Sequence, residues 1–323
     1  MLGSLVSVVI TTYNSSNFVV EALDSVAIQA WKELELIITD DCSVDDTQAV
    51  CRLWLKKNGH RFVRTDLLTV ERNAGISANA NRGLQVAKGE WIKFLAVDDS
   101  LKVNCIEDNM SYIARHPEIR VLFSKVEVYR DTFSGENLIK TIPDEAFHPE
   151  SIMAPDRDAK SQYKMLLLCD RIHFTPSVFL HRETLLSIGG FDERFKRMED
   201  YPLWLKLTRG GHRLHFMDKV TVNYRQHSGA VNNTTIDYLI KPNYFETEAF
   251  RKEYIYPNLP WDIRWNERFR WYGLQVFRCN WLNRNRKLNR LLMALFTSWM
   301  NPFKYYIYFK KRIVKNLKNK EFY

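Results

Sequence analysis

Short apolar runs alternate with helically spaced stretches through the first hundred residues. Val6–Thr12 (VSVVITT) is apolar almost without a break, the pattern of a strand covered on both faces. Asn17–Gln29 follows with helical spacing at Phe18, Ala22 and Val26. Leu34–Thr39 predicts a second strand and Asp45–Lys57 a second helix; Leu67–Val70 predicts a third strand and Ser77–Ala87 a third helix. Trp91–Val97 predicts a fourth strand, running into two aspartates. Strand and helix in strict alternation predict an α/β fold with a mostly parallel sheet flanked by helices. Polar residues gather after each strand: Thr12-Tyr13-Asn14, Asp40-Asp41, Asn73 and Asp98-Asp99. Ligands of open α/β sheets bind beyond the carboxyl ends of the strands, so these clusters are expected on one edge.

The middle of the chain is less regular. Arg120–Arg130, Ser177–His181 and Val220–Arg225 predict strands, a helix is expected from near Glu199, and Asp131–Lys160 reads as a long polar loop. Beyond about Tyr238 the pattern turns helical, clearest at Arg264–Asn280 and Arg284–Met300. The expected organisation is a domain over 1–238, divided near residue 100 into parts that the family resemblance given below implies are donor-binding (1–100) and acceptor-side (101–238), and a helical extension over 239–323.

Charge sharpens that boundary. The chain carries a net +9, yet from Lys241 onward 18 Lys/Arg face 6 Asp/Glu, a surplus of 12. The first 240 residues are therefore net negative, and the basic surplus belongs to the extension. Leu291–Phe309 is strongly apolar but interrupted by Asn301, Pro302 and Lys304, which argues against a spanning helix. Lys310, Lys311, Arg312, Lys315, Lys318 and Lys320 follow. Aromatic rings beside a polybasic run predict a helix lying on anionic lipid; a core helix with a solvated charged end is the plainer alternative. The lack of any nucleic-acid module sets that partner aside. Five scattered cysteines without a C-x-x-C pair fit a reducing compartment, and the opening run lacks a basic leader. The expected location is cytoplasmic, peripheral on the inner face of the cell membrane.

Adjacent carboxylates leaving a buried strand, as at Asp98-Asp99, need neutralisation. A Mg²⁺ or Mn²⁺ shared with diphosphate oxygens supplies it; a plain helix cap by Asp99 near Leu101 is the competing reading. Asp40–Thr47 (DDCSVDDT) places acids where a base or ribose could be bound, or where Ser43 or Asp45 caps a helix. It lacks the Gly of a calcium loop, and position 12 from Asp41 is Arg52. No G-x-G-x-x-G follows any strand, which disfavours a dehydrogenase.

Together, TTYN (Thr11–Asn14), DDCSVDDT (Asp40–Thr47), NAGISANANRG (Asn73–Gly83), KGEWIKFLAVDD (Lys88–Asp99), GGFDE (Gly189–Glu193) and MEDYPLWLKL (Met198–Leu207) resemble the family 2 inverting glycosyltransferases, over residues 4–230 and in the right order. The resemblance implies a GT-A (Rossmann-like) fold. It implies that Thr11, Tyr13 and Asp41 hold the donor's base, that Asp98 contacts ribose and that Asp99, beside Asp98, holds the metal. Asp200, next to Glu199, is then the general base, His227 lies near the diphosphate, and His173 borders the acceptor cavity. The sequence departs from the family at Ala96, where Asp is common, and at Ala80, where Arg is common, with Arg82 nearby.

The overall look is that of bacterial O-antigen and capsule enzymes. That resemblance implies a UDP-sugar donor (UDP-glucose or UDP-galactose), an undecaprenyl-diphosphate-linked N-acetylhexosamine acceptor and a β-linkage. A nucleotidyltransferase is the competing enzyme reading, disfavoured because Thr11–Asn17 has neither Gly nor Lys. A carbohydrate-binding protein without catalysis is the third.

Overall fold

The computed structural model describes residues 3–144, 151–195, 198–227 and 237–314. Two compact units emerge, residues 1–230 and residues 231–323.

The first unit opens with three strand–helix repeats: β1 (Val6–Thr12), α1 (Val19–Ala27), β2 (Leu34–Asp40), α2 (Thr47–Asn58), β3 (Arg64–Thr69) and α3 (Ile76–Val86). Then come β4 (Trp91–Ala96), the two-residue β5 (Ser100–Leu101), α4 (Cys105–Arg115), β6 (Val121–Arg130) and β7 (Leu138–Ile142). The unit ends with α5 (Ala159–Leu168), β8 (Phe179–His181), α6 (Arg182–Ser187), α7 (Asp200–Arg209) and β9 (Leu214–Gln226). One mixed sheet runs β3-β2-β1-β4-β8-β6-β9-β5, with β7 paired to β6. The four N-terminal strands are parallel, and the order reverses direction where β8 pairs antiparallel with β4.

Register turns the expected edge into geometry. Thr11 lies level with Thr39 and with Ala96, and Thr12 with Asp40. The strands that end in Thr12, Asp40 and Ala96 therefore stop at the same height, and the polar residues following them share one rim. β1 and β2 sit centrally and are buried nearly throughout, which explains sequences that are apolar apart from Ser7, Glu35 and their polar ends.

A buried carboxylate fixes the opposite end of these strands. Glu35 on β2 is fully buried and accepts from Ser7 Oγ at 2.5 Å, Lys88 N at 2.5 Å and Gly89 N at 3.0 Å, with Arg64 Nη1 at 3.4 Å. A Cβ on Gly89 would stand 2.5 Å from Ser7 N, so glycine is what lets the turn into β4 approach β1 this closely.

Three expectations change. The helix expected near Leu101 starts instead at Cys105, because Ser100 and Leu101 pair with β9 as a short strand. Asp99 therefore does not cap it. The polar stretch after residue 130 contains a strand, β7, whose L-I-K-T-I alternation pairs it to the edge of β6. β9 is longer than Val220–Arg225: it begins at Leu214, and two register shifts against β6 broke the pattern.

The second unit is helical: α8 (Glu248–Phe250, running on as a π turn over Arg251–Ile255), α9 (Trp261–Gln275), α10 (Lys287–Ala294, with a π turn over Leu295–Trp299) and α11 (Pro302–Val314). Buried Asn301 separates the last two; its Oδ1 accepts from Phe303 N and Lys304 N, capping α11 with Pro302 at its first position. Lys310 Nζ meets the buried Asp262 carboxylate at 2.6 Å, tying α11 to α9. No described helix is long and apolar enough to cross a membrane.

Removing the Glu35 carboxylate takes the acceptor from Lys88 N and from the Ser7 hydroxyl and leaves Gly89 N with Ser7 Oγ alone, at 2.9 Å. Glu35→Ala is expected to lower unfolding free energy by about 2–4 kcal/mol, read from urea denaturation curves; a midpoint equal to wild type would contradict this account of the turn.

Candidate active site

The rim of β1, β2 and β4 is built by short polar loops whose side chains mostly serve each other. Asp40 is saturated: Thr12 Oγ1 donates at 2.8 Å, Ser43 N at 2.9 Å, Ser43 Oγ at 2.5 Å and Gln48 Nε2 at 2.7 Å. Asp45 accepts from Ser16 N, Thr47 N and Thr47 Oγ1, which joins the loop after β1 to the start of α2. Against a burial effect that would raise it, hydrogen bonds from Thr47 and Ser16 hold the Asp45 carboxyl down at about 2. The DDCSVDDT segment thus ties two strand-end loops together.

Asp41 faces the other way. Its carboxylate accepts from Ala74 N at 3.1 Å, Gly75 N at 2.8 Å and Arg82 Nη2 at 2.6 Å, and it is almost completely buried. Arg82 also reaches Asn79 Oδ1 at 2.7 Å, and Asn79 Nδ2 reaches Thr12 O at 3.2 Å. Arg82 and Asp41, both expected at the donor, are brought together as an ion pair that shapes the 73–75 loop. Thr11 lies half-buried at the end of β1, and Tyr13 stands half exposed just beyond it.

Asp98 and Asp99 part company. Asp98 turns to the rim, where its Oδ2 lies 3.3 Å from His227 Nε2. His227 in turn packs on Phe18, ring centroids 4.7 Å apart. Asp99 points inward with 1% exposure; Oδ1 accepts from Arg225 N at 2.9 Å, and Oδ2 is buried without a hydrogen-bond partner. Burial, and then the charge of Asp98, push the Asp99 carboxyl well above the usual carboxylate range. The residue expected to hold a metal is the enclosed one, and the rim is presented by Asp98 and His227.

Arg225 carries that arrangement, and nothing in its sequence surroundings singled it out. It is 4% exposed. Its Nε donates to Asp98 O at 2.8 Å, and its terminal nitrogens donate to Asp131 O and to the Glu21 carboxylate. The guanidinium is sandwiched by Phe133 at 4.1 Å and Phe18 at 5.1 Å. One side chain thereby joins β9, α1, the β4 exit and the turn after β6.

A second group of acids lies at the start of α7. Asp200 Oδ1 accepts from Tyr201 N at 2.7 Å, and Oδ2 from Thr175 Oγ1 at 3.1 Å. Burial raises the Asp200 carboxyl. Glu199 is pushed up to about 7 by burial and by the charge of Asp200. Asp170, unremarked in the sequence, is raised to about 6 by burial and by Asp200, with His173 pulling the other way. His173 also favours the charged form of Asp200, so Glu199, Asp200 and His173 gather as expected neighbours with Asp170 among them. The loop leading to α7 is fastened to α3: Asn81 Nδ2 donates to Phe191 O and to Glu193, Asn81 Oδ1 accepts from Phe191 N, and Ser77 Oγ reaches Phe195 O. A Cβ on Gly190, at φ 62, would stand 2.5 Å from Asn81 Oδ1. Between α3 and this loop a cleft of about 410 Å³ opens beside Ala78, Gln85, Gly189 and Glu193.

The raised acids carry a pH signature. In the unfolded chain Asp and Glu titrate near 3.8 and 4.5, while in the folded protein Asp170 and Glu199 titrate at about 6 and 7. Between these limits the native state binds more protons, so their contribution to stability falls as pH rises from about 4 to 7. The Asp170→Asn, Glu199→Gln double variant is expected to show a shallower fall in Tm across that window and a higher Tm at pH 7; parallel curves would contradict it.

Comparison with known proteins agrees with this geometry. The family model for glycosyl transferase family 2 matches residues 7–173. The amylovoran biosynthesis glycosyltransferase AmsB of Erwinia amylovora is 26% identical over 306 residues, spanning 90% of this chain and 96% of that protein. Among solved structures, S. aureus TarS 1-349 in complex with UDP-GlcNAc superposes with a TM-score of 0.58 at 18% identity, covering 90% of this chain and 79% of that one. The mannosyltransferase PcManGT of Pyrobaculum calidifontis, in complex with GDP-Man and Mn²⁺, gives 0.51 at 16% identity, covering 98% and 76%. These structures share the GT-A fold, with its sheet flanked by helices. Strand order, rim and matched sequence converge: the chain belongs to glycosyl transferase family 2 and is a glycosyltransferase.

Proposed function

We propose that the protein moves a hexose, glucose or galactose, from a UDP-sugar to a hydroxyl of a diphosphate-lipid-linked N-acetylhexosamine, inverting the anomeric centre to a β-linkage. The observation that carries this reading is the Asp98–His227 pair, 3.3 Å apart on the rim shared by Thr11, Tyr13 and Asp41. The UDP-GlcNAc bound to TarS and the amylovoran biosynthesis named for AmsB support the donor and pathway class.

Thr11 and Tyr13 line the base, with Asp41 and Arg82 fixing the 73–75 loop beside it. The residues fit a divalent cation. Among the described residues no three His, Cys, Asp or Glu form a cage; Asp98 and His227 would hold Mn²⁺ or Mg²⁺ together with the donor's diphosphate. A cation held there would also stabilise the unpartnered Oδ2 of Asp99. When bound, the ion neutralises charge on the departing diphosphate. Asp200 takes the proton of the acceptor hydroxyl as its oxygen bonds to the anomeric carbon from the far side. The carbon–oxygen bond to UDP breaks, and its electron pair leaves on the β-phosphate. A single displacement without a protein nucleophile inverts configuration. Glu199 and His173 lie beside Asp200, on the acceptor side.

The second unit suits a lipid-linked acceptor. α11 exposes Tyr305, Tyr306, Tyr308 and Phe309 next to Lys304, Lys311 and Arg312, the composition of an interfacial helix. Lys315, Lys318 and Lys320, part of the same expected run, lie outside the described residues. Binding there places the enzyme peripherally on the cytoplasmic membrane face.

Asp200→Asn is expected to lower kcat for UDP release roughly 10²–10⁴-fold, with acceptor-dependent activity abolished by chelation; an equally active variant would overturn the base assignment. For the membrane reading, sedimentation with phosphatidylglycerol vesicles is the check. Each basic side chain near anionic lipid contributes about 1 kcal/mol, so a Lys304, Lys311, Arg312 to Gln triple variant is expected to bind roughly 100-fold more weakly. Undiminished binding would move the contact elsewhere.

A further inference from the structure

Beneath Asp200 lies a single 3-10 turn, Thr175–Ser177, held on three sides. From α7, Asp200 Oδ2 accepts the Thr175 hydroxyl at 3.1 Å. From β6, Ser124 N donates to Ser177 Oγ at 3.1 Å, while that hydroxyl donates to Phe174 O at 2.8 Å. From β4, Lys93 Nζ donates to Pro176 O at 2.5 Å and to Val178 O at 3.2 Å.

Lys93 is fully buried. A lysine in the middle of a sheet interior loses all its hydration, and leucine or methionine would pack there without that penalty. Its ammonium instead satisfies one carbonyl in the turn, Pro176, and one just after it, Val178, and two residues past the end of the same strand Asp98 stands at the rim. The chain of contacts runs from the strand leading to Asp98, through Lys93, into the turn, and out through Thr175 to Asp200. Thr175 is equally particular: valine has the same shape, so packing alone does not require the hydroxyl.

We propose that Lys93 and Thr175 are positioning residues for Asp200: Lys93 sets the turn against β4, and the Thr175 hydroxyl orients the Asp200 carboxylate and favours its charged form. This rests on the reading of Asp200 as the base. A donor hydrogen bond to a carboxylate stabilises the ionised state, and here it works against the burial of Asp200, alongside Tyr201 N and His173. An aspartate left protonated near neutral pH is useless as a base, so the hydroxyl matters most where burial pushes hardest.

The test compares Thr175→Val, Thr175→Ser and Lys93→Met in the full chain. Titration of ¹³C-carboxyl-labelled aspartates by NMR, with Asp200 assigned by loss of its signal in Asp200→Asn, reads the base without needing turnover. Thr175→Val is expected to raise the Asp200 pKa by about one unit, and Thr175→Ser to restore it, while calorimetric UDP affinity stays within about twofold. Lys93→Met is expected to lower kcat about tenfold with donor KM unchanged; should it fail to fold, the Thr175 pair still decides the matter. An Asp200 titration unmoved in Thr175→Val would overturn the inference. If it moves as expected but Asp200→Asn turns over normally, the base reading fails and the hydrogen-bond relation stands.

Discussion

The guanidinium of Arg225 holds together parts of the first unit that the chain separates by two hundred residues. It fills a slot between Phe18 and Phe133 and bonds to Glu21, Asp98 O and Asp131 O, while its own backbone N–H occupies Asp99. Arginine suits this place because its planar fork makes several bonds at fixed angles while its faces accept aromatic rings. With it in place, the β4 exit has one conformation available: Asp99 turned in, Asp98 turned out toward His227. Without it, Asp99 would lose its one hydrogen-bond donor and its nearest guanidinium, leaving buried Lys93 as the remaining cation acting on it.

The two acid-rich neighbourhoods handle negative charge differently. At the donor rim, acids are saturated by loop amides and hydroxyls, as at Asp40 and Asp45, or paired with Arg82, as at Asp41. At the start of α7, Asp170, Glu199 and Asp200 crowd together with fewer donors, and burial with mutual repulsion raises them. A rim built this way is rigid and suits binding. A crowded set with raised carboxyl groups suits proton transfer near neutral pH, since a base works best with a pKa close to the operating pH.

Much of this was legible in the sequence because it is local. Largely apolar runs identified β1, β2 and β4, and the polar residues ending them fell on one rim because parallel strands in register must end together. What was hidden is long-range. Lys93 reads as an interruption in W-I-K-F-L-A, and its partners at Pro176 and Val178 come more than eighty residues later. Arg225 looks like any basic residue at a strand end, since its partners lie on three other segments. The helix near Leu101 was misplaced because a two-residue strand carries no periodicity of its own. Asp98 and Asp99 are indistinguishable as letters; only the strand's alternation and the position of β9 decide which one faces the ligand.

The most direct test of the central claim, that the Asp98–His227 rim receives a nucleotide diphosphate, is a crystal structure of the protein with UDP and Mn²⁺. The account predicts the ion on Asp98 and His227, diphosphate oxygens completing its coordination, the base beside Thr11 and Tyr13, and Asp99 still bonded to Arg225 N. A nucleotide lodged instead in the cleft between Gln85 and Glu193, with Asp98 and His227 touching neither phosphate nor metal, would contradict it.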